Sequence, residues 1–244
     1  MKIEAVCEYN DGGYLFYAAN YPGAFVRGAS EAMALAKFGG EIRSFLRWSG
    51  EPVPRFDEPE IVVVQRKRSE LQICDADSDV LFDSERRALS EPEYEHGKAL
   101  MLKSARGIQK LFGGIPNPDI SDRAPRTSFY GPVPRTPREM YRHINDVTAY
   151  YAAAVGIGLE NVPDLYLNRL QVLSELEALP DFLSDRVYTA PDGELWTMRK
   201  VIRRFLWHDR IHARAMWRMA RRTFPEAELP DPFFFGAPID AAGS

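Results

Sequence analysis

Cysteine is close to absent. Cys7 and Cys74 are the only two in 244 residues, too few for a disulfide scaffold and far from the CxxC spacing of a thiolate metal site or redox pair. Both read as ordinary buried or half-buried thiols. Long apolar runs are missing too: no stretch approaches the roughly 18 uninterrupted apolar residues of a membrane span. The opening MKIEAVCEYNDGG carries Lys2, Glu4, Glu8 and Asp11 where a secretory leader needs an apolar segment. A cytoplasmic protein that spans no membrane is the expectation. Neither sign of charge dominates, with 31 Lys and Arg against 35 Asp and Glu and a net charge of −4, so no bulk attraction to nucleic acid follows and charge arguments must be local. Histidine is scarce, at four residues, and internal repeats are absent.

The length supports two domains, since cores commonly close at roughly 100–200 residues each. Lys2 to Tyr9 is rich in β-compatible residues, Asp11-Gly12-Gly13 supplies a tight turn, and Tyr14 to Ala18 reads as the returning strand. A short strand, Phe25 to Arg27, leads to Ser30, which can cap a helix running through Ala32, Leu35, Phe38, Ile42 and Phe45. Ile61 to Val64 is a further strand, with Leu71 to Ile73 a candidate partner. After about Glu93 almost everything carries helical periodicity, which places a boundary near Ser84 to Glu93 and predicts helices over Tyr94–Phe112, Pro137–Val155, Pro163–Leu179 and Trp196–Phe224. The expected fold class is two-domain α+β: a small hairpin-and-helix domain over residues 1–88, then a four-helix bundle over 94–244. The Pro-rich stretch Gly113 to Thr136 reads as a long loop over the metal-side mouth of the bundle. The tail aromatics Phe233-Phe234-Phe235 are expected to fold back over the bundle.

His208 and His212 stand four apart on the last helix, so they differ by only about 40° and project from one face, one turn apart. Two imidazoles so spaced can share an ion at roughly 2.0–2.1 Å without bending the helix. Val201, Phe205, Ala215 and Met219 lie on their side, whereas Arg199, Arg203, Arg210, Arg214, Arg218 and Arg221 gather on the other, read as a solvated face rather than a nucleic-acid surface. The histidines therefore point inward. His143 shares a face with Met140, Val147 and Tyr150 and points to the same core, so His143, His208 and His212 are the candidate ligands of one divalent ion, zinc first, then nickel or iron. A pair of core histidines bonded to carbonyls is the competing reading. His96, beside Glu93 and Glu95, reads as a surface residue. Tyr150, Arg204 and Asp146 are the candidate helpers near the ligands; no catalytic residue follows from the pattern itself.

Trp207-His208-Asp209-Arg210-Ile211-His212, preceded by a helix carrying His143 and by the approach Gly193-Glu194-Leu195-Trp196-Thr197, resembles the DinB-like metalloenzyme superfamily over about Tyr94 to Phe224. The resemblance implies an up-and-down four-helix bundle holding a divalent ion with one histidine of the second helix and an HxxxH pair of the fourth. It further implies a metal-dependent transferase, isomerase or hydrolase acting on a small molecule, with a low-molecular-weight thiol as a partner. The long Pro-rich loop departs from that pattern. The stretch Asp11-Gly12-Gly13-Tyr14, then Tyr21-Pro22-Gly23-Ala24-Phe25-Val26-Arg27-Gly28 and the helix from Ser30, is similar to the HicB-like fold of antitoxins. That likeness implies the alternative: a non-catalytic ligand-binding or regulatory protein with a structural metal and a partner-binding or dimerising N-terminal domain. No DNA-binding helical motif follows it.

Overall fold

A computed structural model describes residues 1–54, 58–73, 77–128 and 131–236. The chain is α+β, with a small sheet at the N-terminal end and helices after it. Strands β1 (Lys2–Asn10), β2 (Gly13–Ala18), β3 (Phe25–Gly28) and β4 (Glu60–Arg68) form one sheet in the order β3-β2-β1-β4. The first three are antiparallel; β4 returns parallel to β1, with Lys2 opposite Glu60 and Tyr9 opposite Arg68. Gly13, at φ 147, lets the β1–β2 turn close where a side chain would strike the Gly28 carbonyl. The single helix expected from Ser30 is two: α1 (Glu31–Leu35), capped by Ser30, and α2 (Phe38–Ser49). Leu71 to Ile73 is not a strand. Ile73 instead buries its side chain with Val6, Leu15 and Tyr17, and Asn10 Nδ2 donates to the Leu71 carbonyl.

Among the described residues four long helices follow: α3 (Glu91–Gly113), α4 (Pro137–Ala154), α5 (Leu165–Glu177) and α6 (Met198–Thr223). Ser90, Thr136, Asp164 and Thr197 each cap one by accepting from a backbone N–H of the first turn. Their directions differ from a simple up-and-down order. Gly97 meets Ile202, and Ser104 reaches Asp209, so α3 and α6 run together. Tyr94 bonds Glu177 and Arg106 bonds Tyr166, so α5 opposes α3; His143 meets His212 and Tyr151 meets Phe205, so α4 opposes α6. Helices α4 and α5 therefore run the same way. The reason is residues 155–164: extended chain covers about 3.3 Å per residue against about 1.5 Å for helix, enough to retrace α4 before α5 begins. Asparagines pin the returning segment: Asn145 Nδ2 donates to Val162 O at 2.7 Å, Asn168 Nδ2 to Asn161 Oδ1 at 2.9 Å, and Asn161 Nδ2 to Asp146 O at 3.1 Å.

The long loop before α4 carries a two-residue hairpin, β5 (Thr127–Ser128) with β6 (Gly131–Pro132), and a second hairpin, β7 (Tyr188–Thr189) with β8 (Leu195–Trp196), precedes α6. In the tail, Phe233 is fully buried, stacked on Trp48 at 5.6 Å and on Phe235 at 5.2 Å, so it folds back as expected, while Phe234 is 42% exposed. Cys7 is buried and free; Cys74 lies outside the described residues. No described helix is long and apolar enough to cross a membrane.

The arginine side of α6 is not solvated throughout. Val6, Leu15, Tyr17 and Phe25 of the sheet pack on Trp207 and Ile211, which carries the charged flank of α6 inside. Each enclosed guanidinium finds a carboxylate there: Arg203 pairs with Glu85 at 2.6 Å, and Arg210 with Glu41 at 2.9 Å, where Arg214 joins it. Aromatic rings cover what remains, Tyr17 under Arg203 at 4.4 Å and Trp48 under Arg210 at 4.9 Å. Burial pushes the Glu41 carboxyl up, but Arg214 and Arg210 outweigh it and hold the group below its ordinary range. Only Arg218 and Arg221 of that row stand exposed.

Candidate metal centre

His208 and His212 sit on consecutive turns of α6, and His143 faces them from the first half of α4. His143 Nε2 lies 3.2 Å from His212 Nε2 and 3.1 Å from His208 Nε2. Hydrogen bonding alone leaves this cluster unsatisfied, because a neutral imidazole nitrogen either donates one proton or offers one lone pair, and His143 Nε2 faces two nitrogens at once. A cation shared by the three nitrogens would resolve it. Tetrahedral nitrogens at roughly 2.0–2.1 Å from an ion stand about 3.3 Å from one another, close to the observed separations. Among the described residues these three are the only group of His, Cys, Asp or Glu able to hold an ion together. Among the described residues no carboxylate or thiolate joins them.

All three imidazoles favour their neutral, ligating form. Burial depresses the pKa of His208 well below its usual value, helped by His212, His143, Arg204 and Arg169. Burial does the same to His212, with His143 and Arg27 adding to it, and to His143, where Asp146 opposes it weakly. Arg27 belongs to β3, so one edge of the sheet comes close enough to the centre to act on His212.

Behind His208 lies a buried charged layer that sequence reading missed. Arg169 of α5 and Asp209 of α6 are both fully buried and pair at 3.2 Å, with the Arg169 guanidinium 4.0 Å above the Phe205 ring. Arg169 Nε and Nη1, Asp209 Oδ2 and His208 Nδ1 find no hydrogen-bond partner among the described residues. Nothing in the sequence marks Arg169 except an arginine on a helix whose neighbours Val172 and Leu173 are core residues; the topology decides its place.

The three expected helpers separate. Arg204 is buried within reach of His208, its guanidinium 5.4 Å from the Tyr151 ring and 5.2 Å from the Trp207 ring. Asp146 is exposed, one turn from His143. Tyr150 turns its hydroxyl toward Asp192 and Glu194, at 3.3 and 3.4 Å. His96 is on the surface, as expected, 4.0 Å from Glu51. The long loop is tied to the last turn of α6, where Asp122 N donates to Thr223 Oγ1 at 3.2 Å and Arg222 pairs with Asp122 at 2.9 Å.

Comparison with known protein families, with curated proteins and with solved structures finds no match to this chain.

Proposed function

We propose that the chain binds one divalent metal ion through His143, His208 and His212 and is a metal-dependent enzyme acting on a small molecule, of the thiol-transferase or isomerase type. The observation that carries this reading is the approach of His143 Nε2 to two other imidazole nitrogens within 3.2 Å. A bound ion supplies Lewis acidity toward a thiol or an oxygen of the substrate. The protein contributes a rigid ligand set, with two imidazoles fixed by one helix and the third by its antiparallel neighbour. Two buried guanidiniums, Arg169 and Arg204, add positive potential beside His208 and favour an anionic group there. The sequence likeness to the DinB-like superfamily supports the same ligand set, one histidine from the second bundle helix and an HxxxH pair from the fourth.

The test is reconstitution with zinc, nickel or iron(II), followed by a screen of low-molecular-weight thiols with electrophilic acceptors. Thiol consumption is expected from loaded protein and not from His143→Ala. A loaded protein inert toward every thiol favours the second reading, a ligand-binding or regulatory protein with a structural metal and a HicB-like N-terminal domain. One observation favours that reading: a cavity lies away from the imidazoles, where the sheet meets the helices.

A further inference from the structure

That cavity, of about 410 Å³, lies between the sheet, α2, α3 and α6, within the usual size range for small-molecule sites of roughly 300–1,000 Å³. Tyr17, Tyr21, Phe45, Phe82, Leu89 and Ile202 give it an aromatic and aliphatic wall. Its charged lining is unequally used.

The enclosed cations are spent. Arg203 donates to Glu85 at 2.6 Å, to the Val80 carbonyl at 2.8 Å and to Ser78 Oγ at 3.5 Å. Arg199 donates to the Arg87 and Ala88 carbonyls at 3.0 and 2.6 Å and to Glu93 at 2.8 Å. Arg87 stands exposed at the rim with its Nε on the Ser84 carbonyl. Glu85 and Glu93 are consumed in these pairs. Glu51 is different: its side chain is partly exposed, its Oε1 has no hydrogen-bond partner among the described residues, and His96 Nε2 stands 4.0 Å away. Tyr21 stands close enough to feel the Glu51 charge. Glu4 adds a second carboxylate to the lining, with Lys2 at 3.9 Å beside it. The wall therefore offers an acceptor without a donor, set among aromatic faces that favour a cation.

We infer that this cavity is a binding site for a small organic amine with an aromatic or aliphatic body, its ammonium on Glu51 and its apolar part between Tyr21, Phe45 and Ile202. Because the walls come from both the sheet and the helices, an occupant ties the two parts of the chain together. This site shares no residue with the imidazole cluster and stands independently of the metal.

Titration of the full chain with 2-phenylethylamine, followed by the perturbation of amide resonances lining the cavity, tests it against the isosteric anion 3-phenylpropionate. Saturable binding of the amine is expected, with none of the carboxylate, and Glu51→Gln should weaken the amine by about tenfold or more while metal content and melting temperature hold. Tyr21→Ala should weaken it too, through loss of the wall rather than the charge. Equal binding of amine and carboxylate, wild-type affinity in Glu51→Gln, or no saturable binding of the amine overturns the assignment.

Discussion

Glu8 and the three imidazoles answer acid in opposite senses. An imidazole held below its ordinary pKa in the folded chain takes a proton more readily once unfolded, so metal-free protein loses stability as pH falls below about 6.5. Glu8, fully buried in β1, is pushed by burial from 4.5 up to about 7, against the pull of Arg203 and a bond from Ser78. Its folded form keeps a proton that the unfolded chain has lost, so its contribution is full below 4.5 and disappears as pH rises through about 7. Glu8→Gln removes that second dependence while leaving an acceptor for the Asp79 and Val80 amides. Relative to wild type, the variant should gain on the order of 2 kcal/mol between about pH 5 and about pH 8 in denaturant titrations. A difference that stays flat with pH contradicts the account of Glu8. At the same scale, Asp209→Asn should leave Arg169 as an uncompensated buried charge and cost about 3–5 kcal/mol, whereas Asp146→Asn, at an exposed carboxylate, should leave stability within about 0.5 kcal/mol of wild type.

At the scale of elements, α6 has two covered sides, and this is where sequence reading and structure diverge most. The inward turn of His208 and His212 was legible because apolar residues share their face at helical spacing. His143 was legible for the same reason on α4. The opposite flank was not, since a row of arginines four and seven apart looks the same whether water or a sheet with Glu41 and Glu85 lies against it. Pairing over more than a hundred residues of chain leaves no local mark. The direction of α5 was equally hidden, because periodicity locates a helix and says nothing of whether the loop before it turns or retraces. Glu41→Gln measures the covered flank. Removing the carboxylate shared by Arg210 and Arg214 should cost about 3–5 kcal/mol in a chemical melt, and Arg210→Met in the same chain should recover part of it. No loss in the single variant means the flank is not held by that ion pair.

For the whole molecule, the same flank sets the cost of separating its parts. A fragment starting at Tyr94 exposes Trp207 and Ile211 together with the guanidiniums of Arg203 and Arg210. It should melt less cooperatively than the full chain or not fold at all; a sharp, full-height transition from the fragment means that the bundle core suffices. On the proposed reading, metal would act on the molecule through mass action, because an ion shared by two antiparallel helices would favour the folded form. Loading to about a hundred times the dissociation constant adds roughly 2.7 kcal/mol, so chelation should lower the melting temperature by several degrees.

The most direct test of the three-imidazole centre is the metal content of purified, reconstituted chain and of His143→Ala, measured by mass spectrometry on protein shown by circular dichroism to be folded. His143 lies outside the HxxxH pair, on the other helix, so only a site built across both helices depends on it. The account predicts one divalent ion per wild-type chain and near-total loss in His143→Ala, since two imidazoles rarely hold an ion tightly at neutral pH. Full occupancy in His143→Ala, or a wild-type chain that binds none of the divalent ions offered, would contradict it.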